Sequence, residues 1–249
     1  MVRLAHEVAG SGPLLVLVHG AAADADSFRL LQPILAQRFT TVTVDRRGRR
    51  ASADEASYSI DAEFDDLAAL IDSFGRRAAV FGHSFGGNVA LGAALRTSNV
   101  SSLVVYEPGF RGDMAAETLA EFMRLDAEED RAGLLALALR EFAGFPAEHV
   151  DELLEVPVWR ERLAYAHTIV RELRAYHEFD ERRLLELEAP TLLLVGGDSS
   201  DADREHAAQL AARLPRGSAG ALAGHGHTAP FTGPAPLAEA IARFVGDGR

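Results

Sequence analysis

The stretch that decides the fold reads FGHSFGG and occupies residues 81–87. The apolar run before it favours a buried strand, and residues 88–96 after it favour a helix. Ser84 has one glycine two positions before it and another two positions after it, which is the G-x-S-x-G pattern of a nucleophile elbow. In so sharp a turn, side chains at Gly82 and Gly86 would clash with the neighbouring strand and helix. We therefore predict that Ser84 exposes a nucleophilic hydroxyl beside the N–H groups of a helix N-terminus.

A second segment, LLVLVHG at residues 14–20, predicts an apolar strand that ends in a loop of small residues. A hydrolytic elbow needs a second backbone donor from a loop that follows an earlier strand. We predict that the backbone N–H groups of Ala21 and Phe85 form this oxyanion hole. The alternative is an ordinary junction between a strand and a loop. His19 is expected to bind the loop and to have no catalytic role.

Two further segments supply an acid and a base in the order that such sites use. Residues 191–198, TLLLVGGD, predict a buried strand that ends at the carboxylate of Asp198. Residues 223–227, AGHGH, form a glycine-rich stretch with two histidines near the C-terminus. The order serine, aspartate, histidine along the chain is that of the α/β-hydrolase triad.

The chain resembles an α/β-hydrolase-fold protein of the serine esterase type with a single helical cap. The resemblance covers nearly the whole length, and it includes two more landmarks, VDRRGR at residues 44–49 and YEP at residues 106–108. It implies a catalytic triad of Ser84 with a histidine base and an acid. The base is expected at His227, and His225 is the alternative.

The identity of the triad acid stays open. In similar proteins the acid usually stands three residues after the glycine that ends the strand, and here Ser199 occupies that position and cannot serve. We prefer Asp198, which lies one residue earlier. Glu107, at the end of the strand after the elbow helix, is the alternative acid, and is otherwise a buried carboxylate that backbone donors satisfy. Asp201 and Asp203 are further alternatives that would otherwise cap or begin the next helix.

Strands and helices alternate along the chain, with one interruption. Strands are predicted at about 2–8, 14–19, 40–45, 78–82, 101–106, 190–195 and 217–222, and helices at about 27–37, 61–74, 85–97, 202–213 and 234–245. The alternation predicts an α/β protein, of the α/β-hydrolase fold, in which helices flank a mostly parallel sheet.

From about Phe110 to Leu187 the periodicity is helical. We predict a helical cap, inserted after the strand that ends near Glu107 and lying over the carboxyl ends of the strands, where open α/β sheets bind ligands. The predicted core is residues 1–110 and 186–249, and the predicted cap is residues 111–185. A helical appendage packed elsewhere is the alternative.

Composition narrows the classes of partner. The 249 residues include 37 acidic and 25 basic residues, for a formal net charge of −12, which disfavours nucleic acid and anionic membranes as partners. The absence of cysteine excludes disulfides, thiolate metal sites and a cysteine nucleophile. No apolar signal region begins the chain, and no apolar run approaches the roughly 18 residues of a membrane span. We expect a cytoplasmic protein with a small-molecule substrate, no cofactor and no metal, as a monomer or homodimer.

Two groups of side chains have open roles. The arginines at positions 46, 47, 49 and 50 could bind a substrate carboxylate, although a solvated loop that pairs with acids is the simpler interpretation. The predicted cap contains aromatic and histidine residues that could shape an apolar pocket for a mid-sized acyl or aromatic group: Trp159, Tyr165, His167, Tyr176 and His177.

Together these features predict a serine hydrolase that cleaves a carboxylic ester, lactone or thioester of a small to mid-sized apolar substrate through an acyl-enzyme on Ser84. The same serine and histidine also serve lyases, cyclases and C–C bond hydrolases of small metabolites, and this alternative stays open. A binding protein without catalytic activity is a third class. The intact serine, histidine and oxyanion positions argue against it.

Overall fold

A seven-stranded sheet forms the centre of the molecule in the computed structural model, which describes residues 1–109, 114–177 and 179–247, with backbone alone at residues 176, 177 and 247. The strands are β1 (His6–Ala9), β2 (Leu14–Val18), β3 (Thr40–Val44), β4 (Ala78–His83), β5 (Val100–Tyr106), β6 (Thr191–Gly196) and β7 (Gly217–Leu222). Their order across the sheet is β1-β3-β2-β4-β5-β6-β7. Only β1 is antiparallel to its neighbour, so the predicted mostly parallel sheet is confirmed.

Helices connect the strands, as the parallel pairing requires. The helices are α1 (Gln32–Leu35), α2 (Ile60–Ser73), α3 (Phe85–Ala94), α4 (Ala116–Ala127), α5 (Arg131–Ala143), α6 (Ala147–Glu155), α7 (Pro157–Arg162), α8 (Thr168–His177), α9 (Asp201–Arg213), α10 (Ala229–Thr232) and α11 (Pro234–Asp247). Short 3₁₀ turns occupy Ala25–Phe28, Leu163–Tyr165 and Glu181–Glu186.

The core lies on both faces of the sheet, which explains why β2 is apolar throughout. Leu14, Val16 and Val18 pack on the face that α2 and α3 cover. Leu15 and Leu17 point the other way, into the layer formed with α1 and α11. A central parallel strand buried on both faces needs this continuous apolar sequence rather than an alternating one.

Two predicted elements differ from the structure near the N-terminus. The helix predicted at 27–37 is divided into the 3₁₀ turn Ala25–Phe28 and the short α1. Pro33 stands in the first turn of α1 and has no N–H with which to continue a helix from the preceding turn. The first strand begins at His6 rather than near residue 2, because its ladder with β3 starts at the pair His6–Val44.

Helices α4–α8, called the inserted helices below, stand in the chain between β5 and β6. They share a hydrophobic cluster of their own, centred on buried residues such as Phe122, Leu135 and Ile169. The start of the predicted cap, at residues 110 and 111, lies outside the described residues. The division into core and cap stays a prediction. In the part of the chain that the structure describes, no helix has the length and apolar character that crossing a bilayer requires.

Candidate active site

Ser84 stands at the turn between β4 and α3 in a strained backbone conformation. Its φ is +53° and its ψ is −130°, a region that residues with a side chain rarely adopt. The turn is fixed from both sides, because the Ser84 N–H donates to the carbonyl of Tyr106 at 2.9 Å and the Ser84 carbonyl accepts from Gly87 at 2.7 Å. The elbow geometry predicted from the spacing of the glycines is therefore present.

The flanking glycines allow three backbone segments to meet at Ser84. A Cβ atom on Gly86 would lie 2.3 Å from the carbonyl oxygens of both Val18 and His19. One on Gly82 would lie 2.6 Å from the carbonyl oxygen of Gly86. Both distances are far inside van der Waals contact, so neither position tolerates a side chain without movement of the backbone. The G-x-S-x-G spacing thus reflects the approach of α3 to the end of β2.

His227 reaches the site from the loop between β7 and α10, and a buried carboxylate holds it there. Its Nδ1 lies 2.7 Å from Oε2 of Glu107, the residue that follows β5. The Glu107 side chain is 3% exposed and the His227 side chain is 17% exposed. The other carboxylate oxygen, Oε1, accepts from the N–H of Gly196 at 2.8 Å and from the hydroxyl of Ser199.

These contacts keep Glu107 ionised. Burial alone raises its pKa, but the hydrogen bonds from His227, Ser199 and Gly196, together with the charge of His227, outweigh burial and hold the pKa at about 2. An ionised carboxylate can only accept hydrogen bonds, so Nδ1 of His227 carries the proton in this contact. The other ring nitrogen, Nε2, is then an unprotonated base in the neutral imidazole.

The structure places a different carboxylate from our preferred Asp198 against the histidine. Asp198 lies in the exposed turn after β6, where its backbone N–H donates to the carbonyl of His225 at 3.1 Å. The end of β6 instead supplies the donors Gly196 and Ser199 to Glu107. The carboxylate that the structure brings to His227 is thus the alternative that we named, Glu107.

Hydrogen bonds from two side chains fix the loop that carries His227. The hydroxyl of Tyr106 donates to the carbonyl of Gly226 at 2.8 Å, and Nε2 of His83 donates to the carbonyl of His227 at 2.9 Å. Burial, followed by the neighbouring His227, lowers the pKa of His83 to about 3, so His83 is neutral at pH 7. Sequence reasoning missed His83 as a residue that contacts this site, and only its place next to Ser84 could have indicated it.

The other candidate acids and bases lie elsewhere. His225 packs against Gly233, where its ring atoms lie 2.4 to 2.6 Å from the point that a Cβ would occupy. Asp203 forms a capping box with Ser200 at the start of α9, and Asp201 pairs with an arginine of the same helix, in line with the helix-capping alternative. Within the described residues, His, Asp and Glu side chains do not gather in groups of three or more that could hold a metal ion.

The loop after β2 approaches the serine closely. A Cβ on Gly20 would lie 3.0 Å from Cβ of Ser84 and 3.4 Å from its hydroxyl oxygen. Ala21 follows Gly20, and Phe85 begins α3, and both line a cavity together with Ser84. Their backbone N–H groups remain our candidates for the oxyanion hole.

His19 has the structural role that we expected. Its Nδ1 donates to the carbonyl of Gly20 at 2.9 Å, and its Nε2 accepts the backbone N–H of Arg46 at 3.1 Å. Burial, and after it the charges of Arg46 and Arg49, hold the pKa of His19 well below its usual range. His19 is therefore a neutral ring that ties the loop after β2 to the loop after β3.

The four-arginine loop pairs with acids, as the simpler interpretation expected, but the expectation that it is solvated is wrong for three of the four arginines. The side chains of Arg46, Arg47 and Arg49 are at most 1% exposed, and Arg50 alone is exposed. They are buried because acids from two helices meet them: α2 supplies Glu63 and Asp66, and α8 supplies Glu172. Paired in this way, the buried guanidinium groups are not free to bind a substrate carboxylate.

Two cavities meet at Ser84 and His227. The first has a volume of about 300 Å³ and is lined mainly by apolar side chains of the inserted segment, among them Met114, Phe142, Ile169 and Leu173. The second has a volume of about 340 Å³ and lies on the side of His83, with Leu139, Trp159 and Phe231 among its lining residues. Ala21 and Phe142 line both cavities, as do Ser84 and His227.

The polar and aromatic residues predicted for the cap have separate environments. Trp159 lines the second cavity and carries the guanidinium of Arg162 over its ring at 4.2 Å. The hydroxyl of Tyr165 donates to buried Asp24, and His167 lies 3.5 Å from a carboxylate. The side chains of Tyr176 and His177 are outside the part of the chain whose side chains the structure describes.

The chain is similar to known hydrolases over most of its length. A sequence model described as "Alpha/beta hydrolase family" matches residues 15–240. An alpha/beta hydrolase from Sphaerobacter thermophilus DSM 20745 has a crystal structure that superimposes with a TM-score of 0.84 at 31% identity, and the match covers 97% of this chain and 96% of that one.

Two curated relatives match to different extents. The uncharacterized hydrolase YraK of Bacillus subtilis (strain 168) is 36% identical over 108 residues, which are 41% of this chain and 40% of YraK, so the match spans about two fifths of that relative. N-formylmaleamate deformylase of Pseudomonas putida is 25% identical over 227 residues, which are 89% of this chain and 84% of the deformylase.

Proposed function

Because this chain belongs to the alpha/beta hydrolase family, we propose that it is a serine hydrolase that cleaves a carboxylic ester, lactone or thioester through an acyl-enzyme on Ser84. One observation carries the proposal: His227 lies in the wall of the cavities that Ser84 also lines, and an ionised, buried Glu107 contacts its Nδ1 at 2.7 Å. A base that is oriented by an acid and stands beside a nucleophile is the arrangement of serine-dependent acyl transfer.

The proton steps follow from this arrangement. Nε2 of His227 takes the proton of the Ser84 hydroxyl as the oxygen attacks the substrate carbonyl, and the imidazolium forms against the Glu107 carboxylate. The backbone N–H groups of Ala21 and Phe85 hold the negative charge on the carbonyl oxygen. His227 then gives its proton to the leaving group, and a water molecule, activated by the same nitrogen, releases the acid from Ser84.

The cavities support a small to mid-sized apolar substrate. Volumes of about 300 and 340 Å³ on the two sides of Ser84 suit one group on each side of the scissile bond. Side chains of the inserted helices line both cavities, which supports the proposal that these helices act as a cap that selects the substrate. Phe142 belongs to both linings, and we infer that its side chain divides the two spaces.

The test is hydrolysis of p-nitrophenyl esters from acetate to decanoate. We expect activity that is lost in the variant Ser84→Ala and a chain-length profile with a maximum set by the cavities. The matched control is Ser218→Ala, which removes a hydroxyl from the distant strand β7 and should leave turnover unchanged.

Folded protein without activity on any of these esters would refute the ester hydrolase proposal. It would move the assignment to the alternative chemistry, a lyase, cyclase or C–C bond hydrolase that uses the same serine and histidine on a small metabolite.

A further inference from the structure

A buried ion cluster joins the inserted helices to the loop that carries the expected oxyanion donor. Glu172 of α8 is fully buried, and its Oε1 lies 2.6 Å from Nη2 of Arg49 and 3.0 Å from Nη1 of Arg46. Glu172 also lines the first cavity, together with Ser84. One carboxylate oxygen thus anchors two guanidinium groups beside the reaction site.

Arg46 connects this anchor to both expected oxyanion donors. Its Nε donates to the carbonyl of His19 at 3.0 Å, and its Nη2 donates to the carbonyl of Gly20 at 2.9 Å, immediately before Ala21. The same guanidinium lies 4.9 Å from the ring centroid of Phe85. Arg46 therefore contacts the carbonyl of the peptide group that carries the Ala21 N–H, and it also contacts the side chain of Phe85, whose N–H is the other expected donor.

Arg49 holds the same loop from its far end. Its Nε donates to the carbonyl of Ala23 at 3.3 Å, while its Nη2 donates to Glu172. Hydrogen bonds that involve an ionised partner are stronger than neutral ones, and burial keeps water from replacing them. The loop from residue 19 to residue 23 is thus held by two cations whose shared counter-charge belongs to α8.

Glu63 of α2 cannot replace Glu172 in this arrangement. It binds Arg46 through Nη1 at 2.8 Å, and it accepts a further hydrogen bond from the hydroxyl of Tyr58 at 3.0 Å. The buried partner of Arg49 is Glu172. Loss of the Glu172 charge would leave two buried guanidinium groups with one carboxylate, and an uncompensated buried charge strongly destabilises the arrangement that holds it.

We propose that Glu172 is a positioning residue, which sets the geometry of the oxyanion hole through Arg46 and Arg49. Turnover then depends on the position of α8, the helix that carries Glu172. The inference rests on the proposed hydrolase function. It predicts that Glu172 contributes to the transition state rather than to binding of the substrate.

The experiment compares Glu172→Gln with Glu121→Gln, a matched control in which the glutamate also pairs with an arginine but is 44% exposed on α4. Steady-state kinetics on the best p-nitrophenyl ester give kcat and KM separately. Inhibition by a trifluoromethyl ketone is compared with inhibition by the matching methyl ketone. The serine adds to the trifluoromethyl ketone and the adduct carries an oxyanion, whereas the methyl ketone binds without forming that oxyanion. Thermal unfolding reports whether each variant is folded.

We expect Glu172→Gln to lower kcat about tenfold or more and to weaken inhibition by the trifluoromethyl ketone by a similar factor. Loss of a whole oxyanion donor lowers kcat about 10²- to 10³-fold. KM and the inhibition constant of the methyl ketone should change less than about twofold, because the hole is required only when charge develops. Glu121→Gln should behave as the unmodified protein. A general loosening of the fold would instead weaken inhibition by both ketones equally.

An unchanged kcat in folded Glu172→Gln, or equally weakened inhibition by both ketones, would overturn the positioning role and leave the hydrolase function intact. Absence of ester turnover and of trifluoromethyl ketone binding in the unmodified protein would overturn the hydrolase function, and the inference with it.

If Glu172→Gln does not fold, Arg49→Lys serves instead. A lysine keeps the charge opposite Glu172 but lacks the planar guanidinium that donates from Nε to the Ala23 carbonyl and from Nη2 to the carboxylate. We expect the same separation of kcat from KM, and wild-type kinetics in Arg49→Lys would overturn the proposal.

Discussion

The substitution Glu107→Gln tests the candidate triad where sequence and structure disagree. The amide has the size of the carboxylate, and its oxygen can still accept from Gly196 and Ser199. Its NH₂ group would then face Nδ1 of His227 and force the proton onto Nε2, so the ring could no longer act as a base toward Ser84. Selection of the wrong imidazole tautomer in this way lowers kcat about 10³- to 10⁴-fold.

The same substitution has a cost in stability that depends on pH. The difference between the ordinary glutamate pKa of 4.5 and the value of about 2 in the folded protein corresponds to about 3 kcal/mol in favour of the ionised, folded form. Because the folded pKa is the lower one, this contribution is complete above pH 4.5 and is lost as the pH falls toward 2. Glu107→Gln should therefore be less stable than the unmodified protein at pH 7, and the difference should shrink by more than half at pH 3.

The assays are kcat on a p-nitrophenyl ester and urea unfolding at pH 7 and pH 3. The matched control is Asp198→Asn, which makes the same change at the exposed carboxylate that the sequence pattern favours. It should alter neither kcat nor stability by a measurable amount. Loss of kcat in Asp198→Asn with retention of kcat in Glu107→Gln would refute the assignment of Glu107.

Three further changes have definite outcomes. The pKa of His83 is lowered to about 3 in the folded protein, so below pH 6.5 the unfolded chain binds a proton that the folded protein does not, and the free energy of unfolding should fall by up to about 1.4 kcal/mol per pH unit. Urea unfolding at pH 7, 6 and 5 should show a shallower fall in His83→Gln, and parallel curves for the two proteins would contradict this role of His83. The free energy of unfolding of Gly86→Ala should be lower by about 3 kcal/mol or more, because the added Cβ would lie 2.3 Å from two backbone oxygens, whereas a Cβ at Gly246 meets nothing within 4 Å and Gly246→Ala should be tolerated. Equal unfolding midpoints for the two variants would refute the packing argument. Phe142→Ala should join the two cavities and shift the best p-nitrophenyl ester to a longer chain, and an unchanged profile would show that Phe142 does not divide them.

The elbow and the sheet could be predicted because their signals are local. The glycines at 82 and 86 lie within two residues of Ser84, and the close approach of backbone that requires them is set by the strand and helix on either side. The apolar runs of the central strands carry the same kind of signal, since each strand must be apolar on both faces. The parallel sheet, its flanking helices and the Ser84 turn thus follow from short stretches of sequence.

Sequence reasoning could not decide between the candidate acids, because the contact between Glu107 and His227 is distant in the chain. Glu107 and His227 are 120 residues apart, and no local spacing records that the end of β5 faces the loop after β7. Ser199 was the available signal: a hydroxyl at the usual acid position can donate to a carboxylate but cannot replace it. The buried arginines escaped prediction for the same reason, because Arg49 meets Glu172 across 123 residues.

Covalent labelling tests whether Ser84 is a nucleophile that His227 activates. Folded protein is treated with a fluorophosphonate, and the adduct is located by intact mass and peptide mapping, with Ser84→Ala and His227→Gln in parallel. We expect one adduct, on the peptide that contains Ser84, which is absent from Ser84→Ala and forms far more slowly in His227→Gln. The absence of an adduct, an adduct on another residue, or equal labelling rates with and without His227 would show that Ser84 is not a nucleophile activated by His227.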